Sequence, residues 1–236
     1  MKKIERNCSV FSSIFNDFTK VSKAEKDGKK LAVKIQYPGV AKSLSSDLSL
    51  LKPVAGRLLQ ISPIVLEKYM SEAEARLLEE CDYALELARS QELSEQSAHL
   101  PNMRFPNYYA DWSGSHVITM DWMEGLPLDR WLAEKPSQEA RDRIGQALWD
   151  FYHHQIHILK VFHADPHPGN FMVNENELVV IDFGCVKVMD PEFYQAYFSL
   201  LRPGLLEDQK AFAERLHGLE LLLDGDSPAE RALIME

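Results

Sequence analysis

Three side chains stand in the order that phosphoryl transfer from ATP uses them: Asp165, Asn170 and Asp182. That chemistry needs a carboxylate near the attacking hydroxyl, an amide oxygen on a metal, and a second carboxylate on that metal. Asp165 and Asn170 lie in HADPHPGNF (His163–Phe171), and Asp182 follows the apolar run VVI in VVIDFG (Val179–Gly184). Pro166 and Pro168 fix φ on either side of His167, and Gly169 permits a tight turn that points Asn170 back at the metal. Mg²⁺ held by Asn170 and Asp182 would keep waters and bridge phosphate oxygens. Asp165 would either accept the hydroxyl proton or orient the hydroxyl.

The spacing resembles that of protein kinases: an Asp, an Asn five residues later, and the Asp of a DFG triplet beyond a short hairpin. KLAVKIQ (Lys30–Gln36) then places Lys34 where kinases carry the lysine that holds the α- and β-phosphates. A buried lysine of this kind needs an anionic partner. The acidic helix downstream offers Glu72, Glu74, Glu79, Glu80 and Glu86. TMDWMEG (Thr119–Gly125) would be the adenine-binding hinge, with the carbonyl of Asp121 and the amide of Met123 on the adenine edge. His167 stands two residues after Asp165, where kinases often carry lysine, and is a candidate for contact with the transferred phosphate. His163 reads as an anchor of the catalytic loop. His153 and His157 have i, i+4 spacing, but no third ligand pattern accompanies them.

The elements that must position these residues can be read in outline. Val21–Glu25 and Lys30–Gln36 form two strands turned at Lys26–Lys29, where Asp-Gly signals a hairpin. A helix is expected from Ala41 to Leu51. A long helix from Ile64 to Ala98 is expected to bury Tyr69, Ala73, Leu77, Cys81, Ala84 and Ala88 and to expose Glu72, Glu79, Glu86 and Arg89. RFPNYYADW and SHVITMDWM read as two antiparallel strands, and EGLP (Glu124–Pro127) as a lobe hinge. Ser137 caps a helix from Gln138 to Val161. Phe171–Val173 and Leu178–Ile181 make a hairpin, and helices occupy Glu207–Leu223 and Pro228–Met235. The fold class is α+β, a bilobal protein-kinase-like fold. A small N-lobe (1–124) carries the lysine and the acidic helix, and a helical C-lobe (125–236) carries the catalytic and DFG loops.

Composition sets limits. A chain of 236 residues that is 45% hydrophobic suits one large domain or two small lobes. A net charge of -10 argues against a broad nucleic-acid surface. The three scattered cysteines indicate a reducing compartment. The N-terminus lacks a signal peptide's apolar core, and no apolar run reaches the length of a membrane span. The expected setting is cytoplasmic, soluble or at most peripheral to a membrane.

AVKIQYPGV (Ala32–Val40), ECDY (Glu80–Tyr83), HADPHPGNF and IDFGCVK together resemble the UbiB/ADCK (AarF-type) family of atypical protein-kinase-like proteins. The resemblance runs from about Lys20 to about Phe198. It implies ATP and Mg²⁺ as cofactors, and ATPase or phosphotransferase chemistry. It also implies a link to isoprenoid-quinone (ubiquinone-type) biosynthesis or lipid homeostasis at a membrane surface. The partners implied are a lipid or quinone-pathway small molecule and a peripheral membrane or quinone-biosynthesis protein. By the same resemblance, Lys34 is the phosphate lysine, Glu74 its ion-pair partner, and Glu80 with Asp82 an acidic pair at the nucleotide, on one helix. The family's N-terminal KxGQ motif has no counterpart here. NDFTKVSKA (Asn16–Ala24) stands where its alanine-rich nucleotide loop ends, without the alanine run or any glycine. A divergent short member, a truncated product or a degraded one would each fit. The alternatives are a nucleotide-binding pseudokinase or scaffold without turnover, and a small-molecule kinase of the aminoglycoside or choline type.

Overall fold

The computed structural model describes residues 19–40, 46, 48, 50 and 63–235, without some side chains of the first long helix. The helix expected from Ala41 to Leu51 lies largely outside the described residues. The chain divides into two compact units, Met1–Tyr152 with His163–Val186, and His153–Phe162 with Lys187–Glu236.

In the first unit, β1 (Thr19–Lys26) and β2 (Lys29–Gln36) pair antiparallel. They turn at Asp27 (φ 53°) and Gly28 (φ 76°), the doubly left-handed turn that Asp-Gly favours. Helices α1 (Pro63–Glu80) and α2 (Tyr83–Ser97) follow. After β3 (Met103–Arg104), β4 (Val117–Asp121) pairs antiparallel with β2 and completes a three-stranded sheet. A short β5 (Leu126–Pro127) leads to α3 (Leu128–Ala133) and α4 (Gln138–His154); β6 (Val161–His163) starts in the second unit, and the chain re-enters the first at His163. The hairpin β7 (Phe171–Asn174) and β8 (Glu177–Val180) sits in a second sheet of order β3-β8-β7-β5. Its core is tight: Leu178, Val179, Val180 and Phe183 are fully buried, and Phe151 packs edge-on to Phe183 at 6.2 Å. Beyond β9 (Val186–Val188), the second unit holds α5 (Pro191–Phe198), α6 (Gln209–Gly218) and α7 (Pro228–Met235). There His157 Nδ1 lies 2.8 Å from the Tyr194 hydroxyl, and Lys160 Nζ stands 3.4 Å above the Tyr194 ring.

Three elements depart from the sequence expectation. The long helix is two helices, broken at Cys81–Asp82. Asp82 is the N-cap of α2, its carboxylate accepting from the Leu85 N–H at 3.0 Å. A short acid that can cap a new helix competes with continuing the old one. The break changes the buried face: Tyr83, Glu86, Ser90, Leu93, Ser94 and Ser97 are inside, while Ala84, Ala88 and Tyr69 are exposed. RFPNYYADW is not a strand. Only its first residue, Arg104, enters the second sheet, as the end of β3; the rest supplies an isolated bridge from Tyr108 to Met120 and a 3₁₀ turn at Ala110–Trp112. Pro106 lacks the donor that a continuous ladder requires. Finally, α4 ends at His154 and widens into a π turn over Gln155–Leu159, closed by Lys160 at φ 57°.

Candidate functional site

Alternation along β2 puts Ala32 and Lys34 on one face, and the Lys34 side chain is 12% exposed. Its ammonium donates to Glu86 Oε1 at 2.6 Å and to Asp182 Oδ2 at 3.1 Å. Burial pulls its pKa down, but Asp182 and Glu86 outweigh burial and hold the group above its ordinary range. Lys34 is therefore a fixed cation. The expected partner Glu74 is replaced by Glu86: Glu74 lies in α1, and the break at Asp82 carries Glu86 onto the buried face of α2. Gln36, two residues beyond Lys34, braces this arrangement by donating from Nε2 to the Cys81 carbonyl at 2.9 Å.

Asp182 uses both carboxylate oxygens. Oδ2 meets Lys34, and Oδ1 accepts from the Gly184 N–H at 2.7 Å. Burial pushes its pKa up, yet Lys34 and the Gly184 amide hold it below the usual carboxylate value. Phe183 anchors the triplet against Phe105, Phe151 and His163. His163, 1% exposed, ties the two loops together. Its Nδ1 accepts from the Asp165 N–H at 3.1 Å, so Nε2 carries the proton donated to the Asp182 carbonyl at 2.8 Å. Burial keeps this imidazole below its ordinary pKa, against the pull of Asp182 and Asp165.

Asn170 Nδ2 donates to Asp165 Oδ2 and to the Asp165 carbonyl, each at 3.0 Å. The Asn170 N–H bonds to the His167 carbonyl at 2.9 Å, and its own carbonyl accepts from the Ile181 N–H at 3.1 Å. His167 is exposed, and its Nδ1 accepts from the Gly169 N–H at 3.0 Å. Tyr152 was not singled out for the site from the sequence. Its phenol, with the hydroxyl buried, is pushed up to about 12 by burial and then by the Asp165 charge. A half-buried tyrosine on a helix face gives no sequence signal of that neighbour.

At the hinge, the Asp121 N–H is taken by the Asn107 carbonyl at 2.9 Å. Its carboxylate accepts from Tyr109 Oη and Asn107 Nδ2, both at 2.6 Å. The Trp122 N–H goes to the Lys30 carbonyl at 3.0 Å, and Met123 is half-buried. Gly125 has φ 143°, and a Cβ there would come within 2.7 Å of the Val173 carbonyl oxygen. Glu80 and Asp82 do not share a helix: Glu80 ends α1, its side chain outside the described residues, and the exposed Asp82 caps α2.

The donor set suits a hard cation. Asn170 commits its amide nitrogen to Asp165, which leaves the amide oxygen for a metal. Asp182 adds an ionised carboxylate. One carboxylate and one amide oxygen, with phosphate and water completing the shell, is how Mg²⁺ is held.

Residues 18–216 match the family model described as an ABC1 atypical kinase-like domain. The chain is 30% identical over 190 residues to "Atypical kinase COQ8, mitochondrial" of Saccharomyces cerevisiae, covering 79% of this chain and 38% of that protein. It is 28% identical over 205 residues to "AarF domain-containing protein kinase 1" of Xenopus laevis, covering 83% of this chain and 39% of that one. Among solved structures, Rv3197 from Mycobacterium tuberculosis, in complex with erythromycin, superposes with a TM-score of 0.67 at 30% identity. That match covers 92% of this chain and 55% of the other. The chain thus spans about four-tenths of those two relatives' length. The α+β kinase-like fold is shared with them, and the chain belongs to the ABC1 (UbiB/ADCK) family of atypical kinases.

Proposed function

We propose that this chain binds ATP with Mg²⁺ and carries phosphotransferase or ATPase chemistry. The observation that supports it most is the convergence of Lys34 and Asp182, 3.1 Å apart, with His163 linking the Asp182 backbone to Asp165. Residues 1–124 supply the phosphate lysine, and residues 125–236 supply the catalytic and metal-binding groups. Lys34 holds the α- and β-phosphates, with Glu86 in the supporting role first assigned to Glu74. Asn170 and Asp182 hold the metal. Bound Mg²⁺ would neutralise phosphate charge and orient it for in-line displacement. Asp165, oriented by Asn170, accepts the proton of the hydroxyl nucleophile or orients that hydroxyl, and His167 faces the transferred phosphate. The Asp121 carbonyl and the Met123 amide take the adenine edge, and Glu80 and Asp82 form an acidic pair at the nucleotide.

For the whole protein we propose a role in isoprenoid-quinone or lipid metabolism beside a membrane, on the strength of the relatives' names. No helix among the described residues is long and apolar enough to cross a membrane.

A thermal-shift titration with ATP and Mg²⁺ tests the nucleotide site, since a ligand of the folded state raises the melting temperature by mass action. A Mg²⁺-dependent rise in the wild type, lost in Asp182→Asn, is expected. No rise in the wild type overturns the reading. Binding without ATP turnover, with lipid and quinone head-group mimics present, would leave the chain a nucleotide-dependent scaffold.

A further inference from the structure

ECDY carries a residue that the proposed reaction has not yet used. Tyr83 opens α2 three residues before Glu86, a spacing that puts both on one helix face, where they are 1% and 4% exposed. Lys34 Nζ stands 5.6 Å from the centroid of the Tyr83 ring, within reach of a cation–π contact. The ammonium thus has three described neighbours: Glu86, Asp182 and an aromatic face. Two of them arrive on the same helical turn, held to the strand of Lys34 through Gln36 and Cys81.

These neighbours differ in what a nucleotide would do to them. On the nucleotide reading, Asp182 turns to the metal and Lys34 turns to phosphate, so the Lys34–Asp182 contact is the one exchanged. Glu86 and Tyr83 remain. One carboxylate alone leaves a flexible four-carbon chain free to swing about the remaining hydrogen bond. An aromatic wall on a second side removes that freedom without adding a charge that would compete with phosphate.

We propose that Tyr83 is a positioning residue whose ring holds the Lys34 ammonium in place for the nucleotide phosphates, an inference that rests on the nucleotide reading of the site. The phenol suits this use. Its hydroxyl is buried with no hydrogen-bond partner among the described residues. Burial, with Glu86 and Asp182, raises its pKa against the opposing pull of Lys34, so the ring is neutral at any physiological pH. The aromatic face, rather than the hydroxyl, is what Lys34 meets.

Three replacements separate face from shape: Tyr83→Phe, Tyr83→Met, and tetrafluorophenylalanine at position 83, whose ring keeps the shape but is electron-poor. The readout is acetylation of Lys34 by acetic anhydride across pH, followed by mass spectrometry and referenced to exposed Lys30. It needs no nucleotide. Phenylalanine should keep the wild-type reactivity of Lys34. The fluorinated ring and methionine should raise it by roughly three- to tenfold at pH 9, the size expected for losing one cation–π contact. They should also shrink the MgATP-induced rise in melting temperature. Equal Lys34 reactivity in the phenylalanine and fluorinated forms overturns the proposal, and the fluorinated form decides this even where methionine prevents folding. If no form responds to MgATP, the nucleotide reading fails, while Lys34 reactivity still decides whether the ring positions the cation.

Discussion

Asn170 clasps Asp165 twice, its side-chain amide nitrogen donating at 3.0 Å both to the Asp165 carboxylate and to the Asp165 carbonyl. The residue assigned to a metal therefore also sets the rotamer of the residue assigned to the nucleophile. Asn170→Ala should lower ATP turnover by on the order of 100-fold or more, because a freed carboxylate loses its alignment. Stability should drop by only about 1–2 kcal/mol for two hydrogen bonds. Steady-state turnover beside urea denaturation checks both halves.

Glu86 and Glu74 make a second test. Glu86→Gln breaks a buried ion pair and should destabilise the fold by about 3 kcal/mol, with Asp182 softening the loss at Lys34. Glu74→Gln should stay within about 0.5 kcal/mol. Guanidinium denaturation of both variants measures the contrast, and equal costs would contradict the ion pair described above.

His163 predicts a pH dependence. Its folded-state pKa lies below the unfolded value, so the unfolded chain binds the proton more readily. The stability it contributes is complete above about pH 6.5, the unfolded reference, and is lost as pH falls below that toward the folded pKa. His157, held low chiefly by burial and then by His153 and Lys160, acts with the same sign. Melting temperature should therefore fall between pH 7.5 and 5.5, and His163→Gln should flatten the slope. An unchanged slope would assign the effect elsewhere.

Gly125 should tolerate no side chain. Its φ of 143° is a glycine conformation, and the obstacle to a Cβ is the backbone carbonyl of Val173, which cannot rotate aside. Gly125→Ala should cost about 2–3 kcal/mol by chemical denaturation.

Much of this was legible in the residues, and the exceptions share a cause. The Asp27–Gly28 turn and the Phe171–Val180 hairpin rest on local backbone preferences, and both strand pairs lie where the sequence puts them. The partner of Lys34 was not legible. The buried face of α2 is polar, built on Glu86, Ser90, Ser94 and Ser97, so hydrophobic periodicity runs through the break and reports the wrong side. Asp82 is a good cap but also an ordinary helix-surface residue, and only the tertiary setting selects the first. In RFPNYYADW the aromatic residues favour a strand, but Pro106 cannot donate to a ladder, and the segment bridges β4 only at Tyr108. In α4 the apolar spacing continues through Ile156 and Leu159, and nothing in it distinguishes a π turn from an α turn.

The contacts of the site also differ in how far they reach along the chain. Asp165 and Asn170 are five positions apart, Lys34 and Glu86 are 52, and Lys34 and Asp182 are 148. Loop-closure entropy makes the longest of these about 3 kcal/mol harder to form than the shortest from an unfolded chain. A growing polypeptide can pair Lys34 with Glu86 long before Asp182 has been synthesised, and the catalytic loop can set its own clasp without either. The lysine–aspartate contact is then the final join in folding, and it is also the join that a nucleotide would have to part.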